Sequence, residues 1–286
     1  MRAAGDTNAT AALIIRTSVF WRLSTSIRRF CGDAAHKLIL NNTICGVNGM
    51  ENIEKLRQWI NESERIVFFG GAGVSTESGI PDFRSVDGLY NQKYSDPPEE
   101  ILSASYFEAF PDKFYKFYRD KLNISGAAPN AAHYALAGLE REGKLSAVIT
   151  QNIDGLHQAA GSRNVLELHG SLLRNYCTKC GRHYGYEHML SFSGVPTCKC
   201  GGIIRPDIVL YGENLDFRIL NRSAEFIKDA DMLIIGGTSL VVYPAAGLID
   251  YYTGHRLVLI NRDATSRDNA ADLVIRGNIG EVFSSL

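Results

Sequence analysis

An apolar segment that leads straight into a glycine-rich loop limits the folds that this chain can adopt. Residues 65–69 (RIVFF) have the composition of a buried parallel strand, and Gly70, Gly71 and Gly73 come within the next four positions. Such a loop between a strand and a helix lets the backbone approach a phosphate. Polar residues at 81–84 (PDFR) continue the loop. On its own, the pattern is typical of a nucleotide site and equally of a glycine turn without a ligand.

Strand-like and helix-like segments alternate along the rest of the chain. Further strands are predicted at residues 147–150, 165–168, 208–211, 232–235, 257–260 and 273–275. Helices are predicted from Met50, from Pro129-Asn130 to Gly143, around residues 219–227 and from Pro244. This alternation predicts an α/β fold with a doubly wound parallel sheet, in which ligands bind beyond the carboxyl ends of the strands.

Polar residues cluster where the predicted strands end. The clusters are residues 151–154 (QNID), His169, residues 238–239 (TS) and residues 261–263 (NRD). Amide and carboxylate side chains there can bind a polar ligand, and a histidine can act as a general base because its ordinary pKa is about 6.5. Taken singly, each cluster also fits a capped turn or a structural histidine.

Residues 85–125 lack strand signals and are rich in aromatic side chains. Pro97-Pro98 interrupts this segment, and residues 105–122 have the apolar spacing of a helix. We predict a small helical module here that covers a site.

Four of the six cysteines lie in one short segment, as Cys177-x-x-Cys180 and Cys198-x-Cys200. Four thiolates suit a tetrahedral zinc ion with no open position, so the predicted zinc is structural. The surrounding module, at about residues 171–205, has little apolar content and depends on the metal for folding. Free thiols or a redox pair are the alternative, and a ribbon of this kind can also bind nucleic acid.

Composition narrows the class of protein. The chain has 286 residues, of which 45% are hydrophobic and 21% charged, and its formal net charge is −1. Near-neutral charge gives no overall basic footprint for nucleic acid, and no apolar run reaches the roughly 18 residues of a membrane span. Clustered cysteines fit a reducing compartment. We expect no nucleic-acid or membrane partner, a cytoplasmic location and a monomer.

Residues 1–49 differ in composition from the rest of the chain. They are rich in arginine and serine and poor in acids, which is typical of a mitochondrial transit peptide. A disordered or untranslated segment, with a natural start at Met50, is the alternative interpretation. Cys31 and Cys45 have no evident role. The fold is therefore expected to reside in residues 50–286, and a mitochondrial location is expected only if the extension is a genuine transit peptide.

Together these segments resemble the sirtuins, the NAD-dependent protein lysine deacylases, in their bacterial-type form. The matching stretches span residues 51–283 and are GAGVSTESGIPDFR, TQNIDGLH, LHG, the cysteine module, IRPDIVLYGE, GTSLVVYPAA and INRD. The resemblance implies a Rossmann-like domain and a second, smaller domain made of a zinc ribbon and the helical module. NAD and an acetylated protein or peptide are then expected to bind in the cleft between them.

The resemblance also assigns residues by matching position. The expected NAD pocket is formed by Ala72, Thr76, Phe83, Arg84, Gln151, Ile153, Asp154, His169, Thr238, Ser239, Asn261, Arg262 and Ile279. The peptide is expected to add a strand against Val209, Tyr211 and Val242. The expected catalytic residues are His169, Asn152 and Asp154, and the expected zinc ligands are Cys177, Cys180, Cys198 and Cys200.

The implied reaction transfers the acetyl group of acetyl-lysine to ADP-ribose, with release of nicotinamide and O-acetyl-ADP-ribose. His169 is expected to deprotonate a ribose hydroxyl, and residues 81–84, with Phe83, to exclude water. Mono-ADP-ribosyl transfer to a protein is the competing enzymatic interpretation. A zinc-ribbon scaffold or nucleic-acid-binding protein is the alternative from another class.

One departure from the family pattern concerns the acyl group. Sirtuins that prefer succinyl- or malonyl-lysine carry Tyr-x-x-Arg in the helical module. Here Tyr115 matches, but Tyr118 stands at the arginine position and Arg119 lies one residue later, about 100° around a helix. The pattern therefore favours an apolar acyl group, acetyl first.

Overall fold

The structure is a computed structural model that describes residues 47–85, 88–92 and 94–286. The chain divides into two units, Met1–Met50 and Glu51–Leu286, and the α/β fold belongs to the second. The predictions for residues 1–49, including a transit peptide and the cysteines at 31 and 45, concern residues that lie almost wholly outside the described ones. None of the described helices is long and apolar enough to cross a membrane.

The first described helix begins at Val47 rather than at Met50. The helices are α1 (Val47–Glu62), α2 (Pro98–Ile101), α3 (Ala104–Ala109), α4 (Pro111–Lys121), α5 (Ala131–Arg141), α6 (Leu156–Ala159), α7 (Tyr186–Leu190), α8 (Phe217–Asp229) and α9 (Ile279–Ser284). The strands are β1 (Ile66–Gly70), β2 (Leu145–Thr150), β3 (Val165–Glu167), β4 (Gly170–Cys177), β5 (His183–Gly185), β6 (Ile204–Ile208), β7 (Met232–Gly236), β8 (Leu257–Asn261) and β9 (Leu273–Arg276).

Six strands form one parallel sheet in the order β3-β2-β1-β7-β8-β9, which confirms the predicted doubly wound fold. Phe69 of β1 pairs with Ile149 on one side and Ile235 on the other, and every residue of β1 is buried. Central strands of a parallel sheet are covered on both faces, so they read as continuous apolar runs. This is why the sequence pattern located them.

A second sheet, with the strand order β5-β4-β6, is antiparallel and holds the cysteine module. Its apolar side chains share one core with those of the helical module, including Phe114, Tyr115, Leu172, Met189 and Ile204. The cysteine module and the helical module therefore pack together around one shared core. The segment with helical spacing at residues 105–122 contains two helices, because Pro111 cannot continue α3 and instead opens α4.

The prediction of a strand at residues 208–211 is wrong. The strand is β6, which ends at Ile208, and the residues after it leave the sheet. The N–H of Val209 donates to the carbonyl of His169 (3.0 Å), whereas the N–H of Tyr211 donates to the carbonyl of Leu102 (2.9 Å). The apolar residues here line a cavity instead of filling a sheet. The helix expected from Pro244 is a 3-10 helix, Ala245–Tyr251.

Candidate active site

A cavity of about 510 Å³ lies at the carboxyl ends of the parallel strands, where the fold class places ligands. It is bounded by the β1 loop, by residues after β2, β3, β7 and β8, and by residues 208–213. Every predicted NAD and peptide residue lines it: Ala72, Thr76, Phe83, Arg84, Gln151, Asn152, Ile153, Asp154, His169, Val209, Tyr211, Thr238, Ser239, Val242, Asn261, Arg262 and Ile279. We call it the strand-end cavity.

The glycine-rich loop after β1 packs directly against the loop after β7. A Cβ on Gly73 would lie 2.8 Å from the Cα of Gly237, and the N–H of Gly73 donates to the carbonyl of Gly237 (2.8 Å). Gly237 itself has a φ of +60°, which few other residues adopt. Close approach of two backbones therefore accounts for these glycines, in addition to the phosphate-binding role that the sequence suggested.

Three side chains join the ends of β2, β7 and β8 along one wall of the cavity. The Gln151 amide donates to the Thr238 hydroxyl (3.0 Å). The Thr238 N–H donates to the Asn261 side-chain oxygen (3.0 Å), and the Asn261 amide donates back to the Thr238 carbonyl (2.8 Å). Because both the oxygen and the amide nitrogen of Asn261 are hydrogen-bonded, its side chain is held in one orientation on this wall.

A second network, Asn152–Ser75–Asp154, is buried beside the first. The Asn152 amide donates to the Ser75 hydroxyl (3.0 Å), which donates to the Asp154 carboxylate (2.7 Å). The other Asp154 oxygen accepts the Leu156 N–H (2.9 Å). Burial raises the pKa of Asp154, and the bonds from Leu156 and Ser75 oppose this rise.

Ser75 was missed by the sequence reasoning. It is 1% exposed and lines the cavity between the two predicted catalytic residues. Its position two residues after Gly73 was the available signal, but only the fold shows that its hydroxyl joins Asn152 to Asp154.

His169 presents one ring nitrogen to the cavity as a base. Its Nδ1 lies 2.9 Å from the carbonyl oxygen of Gln151. A carbonyl only accepts, so Nδ1 carries the proton and Nε2 keeps its lone pair. Burial lowers the pKa of His169 below its ordinary value, and the bond to Gln151 partly offsets this. The neutral ring required of a general base is therefore the stable form at neutral pH.

We call the loop at residues 81–84 the lid loop. It is held by local hydrogen bonds to Asp82 and by an ion pair between Asp82 and Arg262. The Asp82 carboxylate accepts the N–H groups of Arg84 (3.1 Å) and Ser85 (2.8 Å). Its other oxygen lies 3.1 Å from the guanidinium of Arg262, beyond β8. These contacts hold Phe83 on the cavity wall.

The predicted peptide wall has free apolar surface beside fixed backbone. Tyr211 is 40% exposed, and its backbone is held by Leu102 and Ala104. Val242 lines the cavity between Val241 and Tyr243, which are 53% and 66% exposed. An extended peptide can be accommodated between these two segments.

The residues of the acyl-group argument do not line this cavity. The Tyr115 hydroxyl donates to the carbonyl of Ile204, and Arg119 donates to the carbonyl of Gly194 (2.7 Å). Tyr118 is buried. The preference for an apolar acyl group therefore stays a prediction from sequence, and in this structure Tyr115 is a core residue.

The four cysteines converge at one point. The sulfur atoms of Cys177, Cys180, Cys198 and Cys200 all lie within 4.8 Å of one another. Four thiolates at this spacing fit a tetrahedral zinc ion, with all four positions filled by protein. None of them lines the strand-end cavity, so a metal there supports the fold and not the chemistry.

A parallel sheet with a polar cavity at its carboxyl edge, together with four clustered cysteines, is the arrangement of an α/β ligand-binding protein with a module suited to a structural metal. Comparison with known proteins specifies the family. Residues 71–244 match the Sir2 family. The chain belongs to this family, the sirtuins, as the sequence motifs predicted.

Relatives and solved structures agree with this assignment. The NAD-dependent protein deacetylase of Clostridium acetobutylicum is 56% identical over 241 residues, covering 83% of this chain and 98% of the relative. That of Clostridium perfringens is 57% identical over 240 residues, covering 82% and 98%. A Sir2 variant with a deacetylated p53 peptide and 3′-O-acetyl ADP ribose is 39% identical, with a TM-score of 0.75 over 82% of this chain and 96% of the other. Sir2 bound to acetylated peptide has a TM-score of 0.73 at 39% identity, over 81% and 95%.

Proposed function

We propose that this protein is an NAD-dependent protein lysine deacetylase. The observation that carries the proposal is the position of His169, with Nε2 free as a base, in the same cavity as the Asn152–Ser75–Asp154 network. The naming of relatives more than half identical to this chain as NAD-dependent protein deacetylases supports the same activity.

The polar lining of the cavity suits NAD. Arg84 and Arg262 supply positive charge for a pyrophosphate, and Asn152 and Asp154 supply amide and carboxylate groups for the nicotinamide riboside half. When bound, NAD supplies an ADP-ribosyl group that accepts the acetyl group, with nicotinamide as the leaving group.

The chain's own residues then have distinct tasks. His169 accepts a ribose hydroxyl proton at Nε2, while the Gln151 carbonyl keeps its Nδ1 protonated. Phe83 excludes water from the reacting carbon. Asp154 and Asn152 are held in place by Ser75 and need no reorganisation on binding.

The activity is tested with the purified protein and an acetyl-lysine peptide, with and without NAD. Loss of the acetyl group only in the presence of NAD supports the proposal. Attachment of ADP-ribose to protein without deacetylation would instead support mono-ADP-ribosyl transfer.

We also propose that the enzyme is a cytoplasmic monomer. The clustered cysteines, which need a reducing environment to remain thiolates, support this location. Light scattering after size exclusion tests the monomer, and N-terminal sequencing of the native protein tests whether residues 1–49 are present.

A further inference from the structure

The lid loop and the predicted peptide wall are joined by one hydrogen bond between two tyrosines. The hydroxyl oxygens of Tyr90 and Tyr211 lie 2.6 Å apart, and both residues line the strand-end cavity. The two tyrosines are 121 positions apart in the chain, so no sequence motif indicated that they are in contact.

On one side of this bond, Tyr90 is attached to the lid loop. Its N–H donates to the carbonyl of Phe83 (2.9 Å), and its ring lies 5.4 Å from the Phe83 ring. The guanidinium of Arg84 lies 5.1 Å from the centre of the Tyr90 ring, within the range of a cation–π contact. A displacement of Tyr90 therefore displaces both predicted NAD-binding residues of the lid loop.

On the other side, Tyr211 is attached to the helical module. Its N–H donates to the carbonyl of Leu102 (2.9 Å), and its carbonyl accepts the N–H of Ala104 (3.0 Å). The backbone is thus fixed, whereas the side chain is 40% exposed on the surface where a peptide would lie. A peptide lying there would contact the side chain whose hydroxyl meets that of Tyr90.

We propose that Tyr90 is a positioning residue that couples the binding of the acetylated peptide to closure of the lid loop over NAD, through its hydrogen bond to Tyr211. The inference rests on the proposed function for the identity of the two ligands. Tyr90 acts through Phe83 and Arg84 and has no chemical role of its own. Because coupling between two sites is reciprocal, a nucleotide that closes the lid loop raises the affinity for peptide by the same factor.

The variants are Tyr90→Phe, Tyr211→Phe and the double variant. Each removes a hydroxyl and keeps the ring, so the contacts of Tyr90 with Phe83 and Arg84 are retained. Tyr94→Phe is the matched control. It lies in the same segment, and its hydroxyl donates to Asp120 (2.7 Å) outside the cavity lining.

Calorimetry measures the affinity of an acetyl-lysine peptide with and without saturating ADP-ribose, which cannot turn over because it has no nicotinamide. We expect ADP-ribose to tighten peptide binding to the wild type. We expect this factor to fall about fivefold in Tyr90→Phe, the change that loss of one ordinary hydrogen bond produces. The double variant should lose no more coupling than Tyr90→Phe, because both changes remove the same bond. Tyr94→Phe should behave like the wild type.

The coupling is disproved if the wild type shows none, if Tyr90→Phe keeps the full factor, or if Tyr94→Phe loses as much. Deacetylation by the wild type is measured separately. A wild type that couples the two ligands but does not deacetylate refutes the proposed function alone. A wild type that deacetylates without coupling refutes only the role of Tyr90.

Discussion

The carboxylate of Asp82 lies 3.1 Å from the guanidinium of Arg262, so an ion pair ties the lid loop to the residue directly after Asn261 at the end of β8. The Asp82 side chain is 14% exposed and that of Arg262 is 47% exposed. The pair therefore joins two predicted NAD-binding segments that lie 180 positions apart in the chain.

Asp82→Asn should raise the KM for NAD about threefold, in the range expected for one partly exposed ion pair. Asparagine keeps the oxygen that caps the lid loop and loses only the charge. Asp250→Asn is the control, since it breaks an ion pair with Arg267 at 2.9 Å outside the cavity lining. Steady-state kinetics at low salt measures both. Equal KM values for wild type and Asp82→Asn would contradict this role.

His169→Ala should lower kcat for deacetylation by about a hundredfold or more, the usual contribution of a general base. Binding of ADP-ribose should be largely retained, because the side-chain hydrogen bonds that join Gln151, Thr238 and Asn261 do not involve His169. His183→Ala, an exposed histidine of β5, is the control. Near wild-type turnover in His169→Ala would rule out the base role.

The pH dependence of activity is set by the same residue. Burial lowers the pKa of His169, so the neutral base persists below the ordinary histidine pKa of 6.5. The acid limb of the kcat/KM profile should therefore have its midpoint below pH 6.5. A midpoint above that value would show that another group controls the activity.

Two buried histidines should make the fold sensitive to acid. The rings of His133 and His157 lie 4.7 Å apart, and among the described residues both nitrogens of His157 and Nε2 of His133 lack partners. Burial lowers the pKa of His133 to about 4 and that of His157 to about 3, against 6.5 in the unfolded chain. The unfolded state thus binds more protons below pH 6.5, so stability is lost as the pH falls from 6.5 towards 4.

Denaturant unfolding at pH 7.5 and 5.5 tests this expectation. As the pH falls through this window, each histidine can lower the free energy of unfolding by up to about 1.4 kcal/mol per pH unit. His157→Phe keeps a ring beside Phe68. Its free energy of unfolding should fall less between pH 7.5 and pH 5.5 than that of the wild type. His183→Phe, on the surface, should lose as much as the wild type. An unchanged pH dependence in His157→Phe would contradict the assignment.

The zinc module should depend on a tyrosine that is not a ligand. The Tyr184 hydroxyl donates to the sulfur of Cys198 (3.0 Å), and such contacts orient ligands and spread their charge. Tyr184→Phe should release zinc to a chelator several times faster than the wild type. Tyr176→Phe is the control, because among the described residues its hydroxyl makes no hydrogen bond to a cysteine. Equal release from all three proteins would exclude this role.

The parts of the fold that the sequence predicted are those fixed by local pattern. The central strands are continuous apolar runs because both of their faces are covered, and the four cysteines share a spacing that metal geometry requires. Asn130 is the cap of α5, as the Pro129-Asn130 pair indicated. Residues at the strand ends met in one cavity because parallel strands all end at the same edge.

The parts that the sequence did not predict depend on distant partners. Ser75 is part of the site because of its hydrogen bond to Asp154, 79 positions away. Tyr90 is likewise linked to the peptide wall by its hydrogen bond to Tyr211. Residues 208–211 have the pattern of a strand, but Val209 and Tyr211 bond to two different segments. Tyr115 matched a family motif, yet its hydroxyl faces β6 in the core.

The central claim is that one cavity uses NAD to remove an acetyl group from lysine. The most direct measurement quantifies nicotinamide, deacetylated peptide and O-acetyl-ADP-ribose in a single reaction. We predict that all three form in equal amounts in the wild type and that deacetylated peptide and O-acetyl-ADP-ribose form about a hundredfold or more slowly in His169→Ala. Nicotinamide release without deacetylated peptide, or deacetylation that does not consume NAD, would contradict the claim.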